Sequence, residues 1–298
     1  MEPSAGFGPA TITLPISTDV DLNEFKQWLI SREYSKSYIN AVMCYASKYH
    51  YILGNNHLRD LDTLSNDIKA STVKALILLS KFLGTYTQFK QKLSEYGIKL
   101  ARPDSLTAFL RILNNGNSNI IEYYNQAKSK LNPNEQTFLK FLLKSGLRTS
   151  EAIASFNMVI ALSRNGKLCE YYNKDLNCLM HFKYPKTFIR RTKNCYVTFI
   201  TPELLTAISQ SSAVSYSAIR KRLERSKLKL RLNEFRDKFG THLVSNGILE
   251  IEQNLCCGRL NSGIFVKHYW SPKLAELAQR IFKAVETIEA DTATTAGE

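Results

Sequence analysis

The sequence predicts a mainly α-helical protein with one small antiparallel β-sheet. Apolar residues recur at every third or fourth position through most of the chain, and only two short segments have the β-branched and aromatic character of strands. A polar, proline-containing stretch at 98–104 interrupts the helical pattern and reads as a linker, so the 298 residues are expected to form two domains.

Residues 1–18 are small and polar, contain glycine and proline, and read as a flexible tail. Order is expected from Asp19. Leu22, Phe25, Trp28 and Leu29 then recur at helical spacing, with Asp19 and Asp21 placed to cap the helix and complement its dipole. A second helix carries Ile39, Val42, Met43, Ala46 and Tyr49 on one face, turned from the first at 32–35. Helices at 67–84 and 86–96 complete a first domain spanning 19–97. After the linker, helices are expected near 105–113, 118–129 and 133–145, the last with Asn132 as N-cap ahead of Pro133. Between 157 and 200 the pattern changes. Residues 179–182 and 196–200 read as strands flanking a polar connection at 184–194, a hairpin tip. Helices return at 202–210, 215–229, 233–247 and 272–289, closing a second domain over 105–298. No tandem repeat interrupts this order.

A formal net charge of +14 favours a polyanionic partner such as DNA, RNA or an anionic membrane, without choosing among them. No apolar run approaches the roughly 20 residues that span a bilayer, and the first 20 residues lack a signal-peptide pattern, so an intracellular protein is expected. The six cysteines form no paired C-x-x-C units, and adjacent Cys256 and Cys257 are poor partners for one tetrahedral metal; they read as reduced, structural thiols.

One spaced set of residues points to chemistry. Arg148, Lys193, Arg236, Arg259 and Tyr269 each read individually as surface, capping or core residues, yet together they supply what transfer between phosphodiester oxygens requires. Arg148 and Arg236 can hold non-bridging oxygens through planar, permanently charged guanidinium groups. Tyr269 offers a phenolic oxygen able to form a covalent phosphoester, and Lys193 can protonate the leaving oxygen. The basic run 220–231 reads equally as a solvated helix face or as a surface for the DNA backbone.

From about residue 20 to 285 the chain resembles the tyrosine recombinase, or phage-type integrase, family, most closely the integrases of archaeal viruses and plasmids. Residues 25–39 are similar to the opening of that family's helical core-binding domain. Residues 141–152 match its first box, which puts the first catalytic arginine at Arg148 and its supporting acid at Glu151. The hairpin lysine falls at Lys193, with Lys186 the competing assignment. The second box resembles residues 233–243, with the second arginine at Arg236 and Asn233 where the family usually has His or Lys. Asparagine can hydrogen-bond a phosphate but cannot serve as a general acid or base near neutral pH. Arg259 fills the position commonly held by His or Trp, and Tyr269 falls ten residues later; His268 marks the other register and is not a tyrosine.

The resemblance implies a two-domain architecture, a helical core-binding domain (19–97) and an α-rich catalytic domain (105–298), clamped around double-stranded DNA. It implies a 3′-phosphotyrosyl intermediate with neither metal nor nucleotide cofactor, and a homotetramer on two DNA sites. The DNA-binding residues are then Lys36, Arg220, Lys221, Arg222, Lys227 and Lys229. Leu274, Leu277, Ile281, Val285 and Ile288 give the last helix an apolar stripe suited to docking on a neighbouring protomer, or to packing on its own domain. The implied activity is integration or excision of a viral or plasmid genome in the host cytoplasm or nucleoid. The alternatives are an Xer-like dimer resolvase or relaxing topoisomerase of the same chemistry, or an inactive DNA-binding relative.

Overall fold

The computed structural model describes residues 20–54, 57–98, 106, 109–110, 113, 120–190, 194–260 and 263–289. Its contacts separate into two compact units, residues 1–115 and 116–298. The tail at 1–18, Asp19, most of the linker at 98–104 and most of the helix expected at 105–113 lie outside the described residues. No helix among them is long and apolar enough to cross a membrane.

In the first unit, α1 (Leu22–Ser31) begins where Asp21 accepts from the amides of Asn23 and Glu24 at 2.7 and 3.1 Å. It turns into α2 (Lys36–Tyr49), and two 3₁₀ turns lead to α3 (Asn66–Phe82) and α4 (Tyr86–Glu95). Phe25, Leu29, Val42, Ala46, Leu61, Leu76 and Leu79 form its core.

The second unit opens with α5 (Ile120–Lys130) and α6 (Pro133–Ser145). Asn132 and Glu135 cap α6 reciprocally, and Gly146 ends it at φ 64°. A Cβ at Gly146 would meet the Phe239 ring at 2.3 Å, so only glycine lets the chain stop there and turn. Helix α7 (Thr149–Arg164) follows; the sequence reading placed no helix there, although Ala152, Phe156, Val159 and Ile160 are buried at helical spacing.

The sheet has three antiparallel strands in the order β1 (Tyr172–Asn173), β2 (Cys178–Met180), β3 (Val197–Phe199), with Leu179 opposite Thr198. The strand expected at 179–182 ends early because His181 turns inward, between the Tyr171 hydroxyl at 2.6 Å and that of Thr198 at 2.7 Å. The connection is not a plain hairpin. It contains a 3₁₀ turn and the one-turn helix α8 (Pro185–Phe188), and an isolated bridge between Ile189 and Asn194 closes the tip.

Helices α9 (Pro202–Ser209), α10 (Tyr216–Arg225), α11 (Glu234–Ser245), α12 (Glu250–Cys256), α13 (Ile264–His268) and α14 (Leu274–Glu286) complete the unit. The helix expected to run to 229 stops at Arg225, because Lys227 takes a left-handed conformation (φ 57°) and Leu228 N–H returns to the Leu223 carbonyl. The apolar stripe of α14 is spent internally: Leu277, Ile281 and Val285, with Ile288 beyond the helix, are buried in the unit's own core, and Leu274 packs against it. His242 of α11 stands 2.8 Å from the Ala284 carbonyl, and Arg280 pairs with buried Glu252. The structure thus places this face within its own unit, packed against α11.

Candidate active site

The turn that Gly146 permits delivers Arg148 to the N-cap position of α7. Glu151, one turn later, reaches back. Its Oε2 accepts from the Arg148 amide at 3.1 Å and its Oε1 from Arg148 Nη1 at 2.7 Å. The same Oε1 accepts from Arg190 Nη2 at 2.7 Å. The Glu151 side chain is 1% exposed, so these three donors stabilise a carboxylate that water cannot reach.

Asn233 sits at the N-terminus of α11, exposed, with its Oδ1 taken by the Thr149 hydroxyl at 2.9 Å. That bond leaves the amide nitrogen as the free polar end of the side chain. One turn on, Arg236 is buried and bridges two helix ends: Nη1 donates to the Gly146 carbonyl at 2.7 Å and Nη2 to that of Cys257. Burial above all, and then the nearby charges of Arg148 and Arg259, hold its pKa below the free-arginine value. The Cys257 thiol is pushed up by burial against the opposing pull of Arg236, Arg259 and Arg148, so three guanidinium groups act on one point.

Arg259 is presented by the cap of α12. Gly258 takes the left-handed conformation (φ 61°), its N–H bonds to Leu255 O, and Arg259 N–H returns to Asn254 O at 2.7 Å. The result is a cleft of about 950 Å³ lined by Arg148, Arg190, Arg231, Arg236 and Arg259, with Asn233 among them and Glu234 and Asp237 as its carboxylates. Among the described residues, five arginines against two carboxylates give the cleft a positive field that favours anions. Arg231 is committed elsewhere, paired with Glu234 through two bonds of 2.9 and 2.6 Å and stacked over Tyr123.

Arg148, Asn233, Arg236 and Arg259 thus come together, with Glu151 behind them. Tyr269 does not line the cleft. It follows the short helix α13, is 73% exposed, and stands beside His268 with ring centres 6.4 Å apart. Lys193 lies outside the described residues. Lys186 is exposed on α8 and is not in the cleft lining. Among the described residues no cluster of three or more His, Cys, Asp or Glu side chains is placed to hold a metal.

Sequence reasoning did not single out Arg190 or Thr149. Arg190 lay within the basic stretch around Lys193, but nothing in its spacing disclosed the shared carboxylate. Of the basic residues assigned to DNA, Lys36, Lys221, Lys227 and Lys229 are exposed. Arg220 pairs with Glu224 at 2.6 Å, and Arg222 with the buried Glu135 at 2.8 Å.

No curated protein matches the chain. A family model described as archaeal phage integrase matches residues 113–287, more than half of the sequence. The match contains every arginine of the cleft together with Tyr269, and the chain belongs to the archaeal phage integrase family.

Proposed function

We propose that this integrase is a site-specific recombinase that cuts and rejoins duplex DNA by transesterification, serving integration or excision of a viral or plasmid genome. The observation that carries the reading is the convergence of Arg148, Asn233, Arg236 and Arg259 on one cleft backed by Glu151. Three guanidinium groups there can neutralise the non-bridging oxygens of a phosphate whose charge grows in the transition state. Asn233, held by Thr149, adds a neutral donor where a titrating group would otherwise stand.

In this mechanism the Tyr269 oxygen attacks phosphorus in line. The new O–P bond forms as the bond to the 5′ oxygen breaks; the phenolic proton passes to solvent water, which the exposed Tyr269 meets, and Lys193 supplies a proton to the departing oxygen. The 3′-phosphotyrosyl ester keeps the bond energy for religation. Because Tyr269 stands outside the cleft lining, cleavage requires the α13 segment to carry it over the cleft, or the cleft of one copy to receive the tyrosine of another in a tetramer on two sites.

Tyr269's position outside the cleft, with Asn233 in it, also favours a second reading, a relative that binds DNA without cutting it. A nicked duplex carrying a candidate attachment site, incubated without metal, separates the two. A denaturant-resistant adduct lost in Tyr269→Phe supports the recombinase. Specific binding with no adduct supports the second reading.

A further inference from the structure

We infer that Arg190 is a fourth guanidinium of the cleft, contacting a DNA phosphate alongside Arg148; this rests on the transesterification reading for its role in catalysis, though not for its role in binding. Glu151 Oε1 accepts from Arg148 and Arg190 at 2.7 Å each. One carboxylate balances one guanidinium, so the trio carries a surplus positive charge held at close quarters, an arrangement that an incoming phosphate relieves. Arg190 spends one of its five N–H donors on Glu151, lines the cleft, and has a side chain 45% exposed, so donors remain for a ligand. Arg231 also lines the cleft, but its bidentate pairing with Glu234 leaves it neutralised.

The backbone of Arg190 is fixed as well. Its N–H donates to Asn194 Oδ1 at 3.0 Å, Asn194 Nδ2 donates to the Tyr196 hydroxyl at 3.0 Å, and the neighbouring Ile189 pairs with Asn194 in an isolated antiparallel bridge. Arg190 is therefore held at a defined place on the rim, unlike an arginine on an open loop.

The test has two arms, each on wild type, Arg190→Ala and Arg190→Lys. In the first, affinity for an uncut duplex is measured against salt. Arg190→Ala is expected to lower the slope of log K against log salt by about 0.9, the value of one phosphate contact, and Arg190→Lys to restore it. An unchanged slope in Arg190→Ala, or a slope in Arg190→Lys as low as in the alanine variant, overturns the inference. In the second arm, single-turnover adduct formation is expected to fall roughly 10–100-fold in both variants, since lysine keeps the charge but not the planar fork. An adduct rate that lysine restores fully overturns the paired geometry. The binding arm needs no cleavage, so a slope change without any wild-type adduct upholds the phosphate contact while removing the transesterification reading.

Discussion

A Cβ on Gly258 would stand 1.9 Å from the Asn194 carbonyl oxygen. The cap of α12 and the closed tip of the β2–β3 connection therefore interlock with no room for a side chain. Arg148 Nη1 lies 3.5 Å from the same carbonyl, and Arg259 follows Gly258 directly. Two cleft arginines are thus referenced to one backbone contact. Gly258→Ala should destabilise the protein by about 3 kcal/mol, combining left-handed strain with a backbone clash. Chemical denaturation measures the loss, and a DNA affinity reduced in the folded fraction would show that the cleft has shifted.

Arg236 and Arg259 share a cleft but should behave differently on removal. Arg236→Ala leaves the buried Gly146 and Cys257 carbonyls without their donor, which costs about 2–4 kcal/mol besides weakening phosphate binding. Arg259 is exposed, so Arg259→Ala should reduce binding or cleavage with a stability change within about 0.5 kcal/mol. Paired melting and binding curves for the two variants check the contrast.

The basic run on and after α10 divides in the same way. Arg222→Ala strips the charged partner from the buried Glu135 carboxylate, leaving it the Asn132 amide, and should cost about 1–2 kcal/mol, Arg222 itself being half-exposed. Lys229→Ala should leave the melting temperature unchanged; if Lys229 meets the DNA backbone, the salt slope of binding falls by about 0.9.

His181 makes stability depend on acid. Burial pushes its pKa down to about 3, from the 6.5 of an exposed histidine. Between those values the unfolded chain binds a proton that the folded protein refuses, so stability rises with pH across that window and is lost as pH falls through it. The loss between pH 7 and pH 5 should be about 2 kcal/mol. His181→Gln, which cannot titrate, should show a correspondingly shallower dependence when denaturation midpoints are compared at the two values.

Much of the helical frame was legible in the sequence because its signals are local. Asp21 and Asn132 cap the helices their positions announced, and Arg148, Asn233, Arg236 and Arg259, named from spacing and resemblance, meet on one cleft. What escaped depends on contacts across the chain. Strand β1 has two residues, too few for any period to register, and exists by pairing with β2. The early end of α10 follows from a lysine in a left-handed turn, where glycine would have signalled it. The α14 stripe was visible as a stripe, but its partner, α11, was not. Arg190 became a cleft residue only when folding brought it to Glu151, 39 positions away.

The covalent bond proposed between Tyr269 and DNA can be located directly. After reaction with a nicked duplex, nuclease and trypsin digestion should yield the peptide from His268 to Lys273 carrying a nucleotide on Tyr269, while the released strand bears a 5′-hydroxyl that a kinase labels without prior phosphatase. A nucleotide on another residue, or a released strand ending in a 5′-phosphate, would contradict the account.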